Sequence, residues 1–211
     1  MSTLDLGVLI SGRGSNLLSI LHAIGAERLD ARVRLVLSNR ADAGGLVHAK
    51  ARGVHTAVLS HRDYASREAY DEALVATLRE AGVTWVVLAG FMRIVTPVFL
   101  NAFPGRVINI HPSLLPAFPG VHSQAQALQY GVKIAGCTVH FVDSGTDTGP
   151  IISQTAVSVL DDDTEETLSA RILSAEHTLL PRVLQWIAQG RVTLVPADEN
   201  RRARVVIHQE E

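Results

Sequence analysis

Several features that define other protein classes are scarce in this chain of 211 residues. It holds a single cysteine, Cys137, so no disulfide can form within the chain. Cys137 lies in the apolar stretch 134–142, which favours a small buried side chain over a reactive thiol. No apolar run reaches the roughly 18 residues that cross a bilayer, and the first residues lack the basic flank of a signal peptide. We therefore expect a cytoplasmic protein with no membrane partner.

An excess of charge of either sign is also absent. The chain has 19 Lys and Arg against 21 Asp and Glu, for a net charge of −2. Nucleic-acid binding needs a basic face, so we expect no nucleic-acid partner. Three arginines do cluster near the C-terminus, and we interpret them as part of a frayed, solvated tail. They are Arg201, Arg202 and Arg204.

Short apolar runs alternate with helical patterns in the first half of the chain. The runs are rich in β-branched residues and several are apolar throughout, as in strands that are covered on both faces. The predicted strands are 6–10, 33–37, 56–59, 85–89 and 107–110. Between them, segment 66–81 places apolar side chains on one stripe of a helix. Such alternation predicts a parallel sheet with helices on both faces.

The pattern changes after residue 111. Segments 134–142 and 151–159 are predicted to be longer, antiparallel strands joined by the loop 143–150. Together the two halves predict a single α/β domain with a mostly parallel sheet and an antiparallel C-terminal extension of that sheet. We place the domain at residues 1–195 and treat 196–211, which carries no motif, as a C-terminal tail.

A long helix is predicted for residues 164–189. Gly190 is expected to end it and Pro181 to kink it. Thr164 gives a polar start, although the strict capping-box spacing is not met. Glu176 and His177 interrupt the apolar stripe. A solvated face is the default interpretation of that pair, and a ligand contact is the alternative.

The loop SGRGSN follows the first predicted strand. Glycines let its backbone turn tightly and approach a ligand, and Ser15 or Asn16 can cap the next helix. The N–H groups and dipole of a helix N-terminus favour an anion such as phosphate. The spacing matches neither a Walker A loop nor a dinucleotide fingerprint, because Leu17 occupies the third glycine position. A plain strand–helix turn remains an alternative for this loop.

The segment NIHPSLLP begins in a predicted strand and continues past its carboxyl end. Open α/β sheets bind ligands at the edge formed by the carboxyl ends of their strands. Strand alternation places Asn109 and His111 on the same face. An amide donor and an imidazole that point into one volume suit a developing oxyanion, although a structural histidine is the alternative.

The loop 143–150 is rich in small and acidic residues. Asp147 in this loop is a candidate to orient a histidine, as carboxylates do in catalytic triads. An ordinary hairpin connection or a cation site are alternatives, although the terminal Glu of an EF-hand is absent. Six further histidines show no ligand spacing, so we predict no metal site and interpret them as surface or structural residues. They are His22, His48, His55, His61, His140 and His208.

Seven segments, taken in order over roughly residues 5–192, resemble the phosphoribosylglycinamide formyltransferase family of folate-dependent enzymes. They are SGRGSN, SNRADAGGL, SREAYD, LAGFMRI, NIHPSLLP, HFVDSGTDTGPII and AEHTLLP. The resemblance implies a Rossmann-like fold and transfer of a formyl group from 10-formyltetrahydrofolate to the amine of glycinamide ribonucleotide in purine biosynthesis. It also implies a cytoplasmic enzyme that acts on small molecules as a monomer or homodimer, without a metal.

The resemblance also implies roles for individual residues. Asn109, His111 and Asp147 correspond to the catalytic residues of the family. Six residues correspond to those that bind the ribonucleotide in the family, and all but Glu176 lie in the N-terminal half. They are Gly12, Arg13, Gly14, Ser15, Asn16 and Glu176. The folate side corresponds to Arg67, Met92, Arg93, Ile94, Val95, Asn109, Asp143 and Asp147. The position of Arg13 varies within the family, so its role is open.

Three other functions are alternatives to this one. A formyltetrahydrofolate hydrolase could use the same Asn-His-Asp set with water as nucleophile, but a phosphate loop is not needed for water. A formyltransferase for initiator tRNA would be expected to carry an RNA-binding domain and a basic surface. A non-catalytic nucleotide-binding module would not need Asn109, His111 and Asp147 together.

Overall fold

A computed structural model of the chain describes residues 3–209. These residues form nine strands and six α-helices. The strands are β1 (Leu4–Ile10), β2 (Ala31–Ser38), β3 (Thr56–Val58), β4 (Trp85–Leu88), β5 (Val107–His111), β6 (Ile134–Phe141), β7 (Ile151–Ser158), β8 (Val192–Val195) and β9 (Arg204–Ile207). The helices are α1 (Ser15–Gly25), α2 (Gly44–Lys50), α3 (Arg67–Glu80), α4 (Pro97–Ala102), α5 (Ser123–Tyr130) and α6 (Glu165–Ala188).

Strands β1 to β7 form a seven-stranded sheet in the order β3-β2-β1-β4-β5-β6-β7, and β8 and β9 form a two-stranded sheet. The pairs among the first five strands are parallel, while β6 and β7 pair antiparallel. The predicted fold class, a mostly parallel α/β sheet with an antiparallel C-terminal extension, is therefore confirmed. The chain divides into two compact units, the first ending at Asn109 and the second beginning at Ile110.

In the first unit, β1 lies between two parallel neighbours. Val8 pairs with Val36 of β2 and with Val87 of β4, and all three side chains are fully buried. A strand covered on both faces has no polar side, which explains why β1 has no charged or polar side chain from Leu6 to Ile10. Right-handed crossovers place α1 and α2 on one face, while the return from β3 to β4 places α3 on the other.

In the second unit, α6 packs against β6 and β7, and α5 packs against α6. The prediction for the start of α6 is partly wrong, because a capping box is present. Thr164 Oγ1 accepts from the Thr167 N–H at 3.3 Å, and Thr167 Oγ1 accepts from the Thr164 N–H at 2.9 Å. A threonine hydroxyl thus replaces the Glu or Gln of the usual pattern. Pro181 lies inside the helix, and Gly190, at φ +70°, follows its end.

The predicted frayed tail is wrong for residues 204–207, which form strand β9. Strand β9 pairs antiparallel with β8 and also packs against β7. Arg204 belongs to β9, so the boundary that we predicted at residue 195 cuts through a hairpin. Each of the two strands has only four residues, and the pairing of β8 with β9 across the intervening residues 196–203 is not evident from local sequence. Residues 210 and 211 of the predicted tail lie outside the described residues. Among the helices within residues 3–209, none has the length and apolar character to cross a membrane.

Candidate functional site

The glycine loop of the first unit joins β1 to α1. Helix α1 is capped by Gly14, which has φ +76°, so the prediction that Ser15 or Asn16 caps it is wrong. Ser15 is instead the first helical residue. Because glycine has no side chain, the cap residue itself places no acceptor over the first N–H groups of the helix. The first N–H groups of α1 therefore remain suited to an anion, as predicted, although the helix begins differently from the prediction.

Close contact between two backbone segments determines the shape of this loop. The Gly45 N–H donates to the Gly12 carbonyl at 3.1 Å. A Cβ placed on Gly14 would meet the Cα of Gly45, in addition to being strained by the positive φ. At Gly12, by contrast, the described residues leave open space within 4 Å of an added Cβ. The fold therefore requires glycine at position 14. At position 12 packing imposes no such requirement, and the open space beside Gly12 can accommodate a ligand.

Ser11, the first residue of the SGRGSN loop, links three segments of the first unit, a role that was not predicted. Its hydroxyl donates to Asn39 Oδ1 at 2.6 Å and accepts from the Met92 N–H at 2.8 Å. The Ser11 N–H also donates to the Gly90 carbonyl at 3.0 Å. The loops that follow β1, β2 and β4 are therefore tied together at the carboxyl edge of the strands. A serine at the end of a buried strand was the available signal.

The residues assigned to the folate side in the first unit lie partly on this tied segment. Arg67 Nη2 donates to the Ile94 carbonyl at 2.9 Å, which anchors the segment to the start of α3. Met92 is 68% exposed and Ile94 is 55% exposed, while Val95 is buried. Two large apolar side chains held outward by a fixed backbone offer a surface for an apolar ring system.

His111 and Asp147 lie together in the second unit. His111 Nδ1 is 3.2 Å from Asp147 Oδ2, and the side chains are only 6% and 13% exposed. On the other side of the ring, His111 Nε2 lies 2.9 Å from the Phe118 carbonyl. Both ring nitrogens therefore face acceptors. A neutral imidazole has one N–H and can satisfy only one of them, whereas the imidazolium satisfies both.

His140 also faces this carboxylate, and the prediction that it is merely a surface or structural residue overlooked this position. Its side chain is 2% exposed, and Nε2 lies 3.7 Å from Asp147 Oδ1. Nδ1 lies 2.8 Å from the Phe141 carbonyl. The signal in the sequence was a histidine within a buried strand that leads directly into the acidic loop. His22 and His208, by contrast, lie at the surface beside Arg52 and Thr193.

Asp147 has an uncommon backbone conformation, with φ +54°, and several neighbouring groups contact its carboxylate. The Gly120 N–H donates to Asp147 Oδ2 at 2.8 Å. Burial opposes ionisation of Asp147, but hydrogen bonds from His140 and Gly120 and the charges of both histidines outweigh it. The pKa of this carboxyl is therefore lowered below its usual value. Asp147 is ionised at neutral pH and presents a negative charge to both imidazoles.

Asn109 and Asp143 have separate structural settings. Asn109 is a half-buried residue of β5, paired with Leu88 of β4, and alternation places it on the same face of the strand as His111. Asp143 Oδ1 accepts from the Gly145 N–H at 3.1 Å and from Thr148 Oγ1 at 2.7 Å. Asp143 therefore organises the loop that carries Asp147.

Glu176 in α6 is only 5% exposed, so a solvated face is the wrong interpretation for this residue. It takes a buried place between the apolar turns of the helix. Cys137 of β6 is fully buried, as expected. Burial and then the charge of Glu176 raise the pKa of Cys137 to about 12, which keeps the thiol protonated at neutral pH.

The predicted site residues thus fall into both units. The first unit holds the glycine loop and the segment around Met92, while the second holds the His111–Asp147–His140 cluster and Glu176. In residues 3–209, no group of three or more His, Cys, Asp or Glu side chains has an arrangement that could hold a metal ion.

Comparison with known proteins gives concordant matches. The formyl transferase family model matches residues 5–184. Phosphoribosylglycinamide formyltransferase of Escherichia coli K12 is 44% identical over 191 residues, which is 90% of each chain. The trifunctional purine biosynthetic protein adenosine-3 of Drosophila melanogaster is 49% identical over 191 residues, or 90% of this chain, but this chain spans only 14% of its length.

Solved structures are similar as well. The crystal structure of glycinamide ribonucleotide transformylase 1 from Symbiobacterium toebii has a TM-score of 0.94 and 49% identity, and the match covers 98% of this chain and 95% of the other. Phosphoribosylglycinamide formyltransferase from Anaplasma phagocytophilum has a TM-score of 0.89 and 43% identity, with coverage of 99% and 95%.

The lowered pKa of Asp147 predicts how stability depends on pH. A carboxyl whose pKa is lower in the folded state adds stability above its unfolded value of about 3.9, and that stability is lost as the pH falls through the folded pKa. We expect the free energy of unfolding of the Asp147→Asn variant to fall less steeply than that of the wild type below about pH 4. Urea unfolding between neutral and acidic pH measures both slopes. Equal slopes would contradict the environment described for Asp147.

Proposed function

Because the chain belongs to the formyl transferase family, among its phosphoribosylglycinamide formyltransferases, we propose that it makes formylglycinamide ribonucleotide. In this reaction the formyl group of 10-formyltetrahydrofolate passes to the amine of glycinamide ribonucleotide, leaving tetrahydrofolate. The observation that carries the proposal is the buried His111–Asp147 pair at the end of the strand that also bears Asn109. This set suits acyl transfer through a negatively charged tetrahedral adduct.

The chemistry assigned to these residues is charge stabilisation and positioning. As the amine attacks the formyl carbon, the carbonyl oxygen becomes negative, and the Asn109 amide and the His111 imidazolium donate hydrogen bonds to it. Asp147 faces Nδ1 of His111, so Nε2 is the nitrogen that would donate. Nε2 must then exchange the Phe118 carbonyl for the substrate oxygen. This exchange aims a donor at the oxygen only when substrate is present.

Completion of the transfer requires one proton to move. The attacking amine loses a proton, and the folate nitrogen gains one as its bond to the formyl carbon breaks. Asp147 holds the His111 imidazolium in place. The imidazolium then stabilises the adduct until this proton moves through water. No covalent intermediate with the protein is proposed, and Cys137 is unsuited to one because its thiol is buried and protonated.

The binding roles are proposed on the same basis. Gly12 to Asn16 would bind the ribonucleotide phosphate at the N-terminus of α1, with Arg13 beside it and Glu176 bonding the sugar. The folate would be held by Arg67, by Met92, Arg93, Ile94 and Val95, and by Asn109, Asp143 and Asp147. The outward apolar side chains of Met92 and Ile94 fit the flat ring of such a co-substrate.

An assay with 10-formyltetrahydrofolate tests this function. The purified protein should release tetrahydrofolate only when glycinamide ribonucleotide is added, and the formylated ribonucleotide should accumulate in equal amount. EDTA should leave the rate unchanged, because no metal is assigned a role. Release of formate at the same rate without ribonucleotide would instead identify a formyltetrahydrofolate hydrolase.

The glycine loop provides a test of the phosphate role. We expect Gly12→Ala to raise the KM for glycinamide ribonucleotide, because the added Cβ would enter the space proposed for the phosphate. The KM for the folate and the melting temperature should remain unchanged, because no described protein atom lies within 4 Å of that Cβ. Gly14→Ala is the matched comparison and should lower stability, because of its positive φ and the Gly45 backbone. Equal rises in both KM values for Gly12→Ala would contradict a selective role.

The two polar catalytic residues should differ in their pH behaviour. Asn109→Ala removes one donor to the oxyanion and should lower kcat by about 10²- to 10³-fold without moving the pH profile, since the amide does not titrate. Asp147→Asn removes a charged group that faces both imidazoles, so its rate should fall and, unlike that of Asn109→Ala, the shape of its pH profile should change. Steady-state rates across the pH range would contradict these roles if both variants gave profiles of the same shape.

A further inference from the structure

The connection between β8 and β9, in the segment that the sequence left without a motif, reaches the loop that carries Asp147. Arg202 Nη2 donates to the Thr148 carbonyl at 3.0 Å, although the two residues lie 54 positions apart in the sequence. Thr148 directly follows Asp147. A guanidinium from the C-terminal hairpin therefore holds the peptide group between Thr148 and Gly149, one residue beyond Asp147.

Arg202 is itself held in place by the structure of the hairpin. Asp198 and Arg201 close the turn through a backbone hydrogen bond of 3.0 Å, and Asp198 Oδ1 accepts from the Asn200 N–H at 2.9 Å. Beyond the turn, Arg204 begins β9 and lies 3.9 Å from Asp198. Because β9 pairs with β8 and packs against β7, Arg202 extends from a fixed support.

The loop end of this contact needs such support. Asp147 adopts φ +54°, a left-handed conformation that costs a residue with a side chain free energy, although Asp tolerates it better than most. Thr148 Oγ1 bonds Asp143, which fixes the side-chain end of that residue within the loop. Its carbonyl is the point held from outside the loop, by Arg202. The two contacts together hold Thr148, the residue that follows Asp147, and so limit how far the backbone at Asp147 can move.

We propose that Arg202 is a positioning residue for Asp147, acting through the Thr148 carbonyl to keep the carboxylate directed at His111. The C-terminal hairpin thereby contributes to the reaction without touching substrate. This inference rests on the proposed function for its kinetic consequence. Its structural consequence, the placement of the Asp147 carboxylate against the Gly120 N–H, can be measured without any substrate.

The test compares Arg202→Ala and Arg202→Lys with Arg201→Ala. Arg201→Ala removes the same charge from the neighbouring position and retains the backbone carbonyl that closes the turn. Lysine keeps a positive donor that can bond a carbonyl, so Arg202→Lys is the conservative rescue. The readouts are kcat and both KM values, the melting temperature, and hydrogen exchange of the Gly120 amide by NMR.

We expect Arg202→Ala to lower kcat about three- to tenfold, the range expected for loss of one exposed hydrogen bond from a charged group. The KM for the ribonucleotide should be unchanged and exchange of the Gly120 amide should be faster. Arg202→Lys should recover much of kcat, and Arg201→Ala should match the wild type in both readouts.

Three results would overturn the inference. In the first, Arg202→Ala keeps wild-type kcat and Gly120 exchange. In the second, Arg201→Ala shows the same loss, which would reduce the effect to net charge. In the third, the loss of kcat disappears when the assay is run well below the melting temperature of the variant, which would indicate stability alone. If the wild type transfers no formyl group, the proposed function fails, and Gly120 exchange still decides the role of Arg202.

Discussion

The second unit is organised around the need to hold one largely buried carboxylate. Removal of Asp147 from water disfavours its charge unless N–H donors and positive groups replace the lost hydration. Those partners come from three places in the chain: His111 at the end of β5, His140 near the end of β6 and the Gly120 N–H. Because each partner must reach the same two oxygens, the strands and the intervening loop are constrained together. The proposed chemistry uses the charge that this constraint maintains.

The first unit depends on a different device, the close approach of backbones without side chains. Gly14 and Gly45 pack where neither tolerates a Cβ, and Ser11 ties the loops after β1, β2 and β4 through short hydrogen bonds. Both devices leave ligand-facing groups on rigid supports. Positioning of this kind gives a reaction its rate when no covalent intermediate is formed. It also explains why the residues of the loops are small and polar while the strands behind them are apolar.

The features that sequence reasoning misjudged are polar residues whose partners are distant along the chain. His140 and Glu176 both occur within apolar patterns, and from these patterns His140 was interpreted as a surface or structural residue and Glu176, by default, as part of a solvated face. Burial of a polar group is tolerated only with a compensating partner. For His140 that partner is Asp147, which lies across a loop whose conformation local sequence does not specify. The arginines of the C-terminal segment were misjudged for the same reason, because the carbonyl that Arg202 binds is 54 residues away.

The sequence by itself determined the order and type of the main strands and helices, because hydrophobic periodicity records which faces are buried. It also determined that Asn109 and His111 share a face of β5, since alternation is a property of the strand alone. Only the tertiary structure decided that Gly14 caps α1, that two histidines face Asp147 and that the C-terminal segment is a hairpin. The physical reason is range: periodicity and turn chemistry act over a few residues, whereas hydrogen bonds between loops depend on where the whole chain has placed their ends.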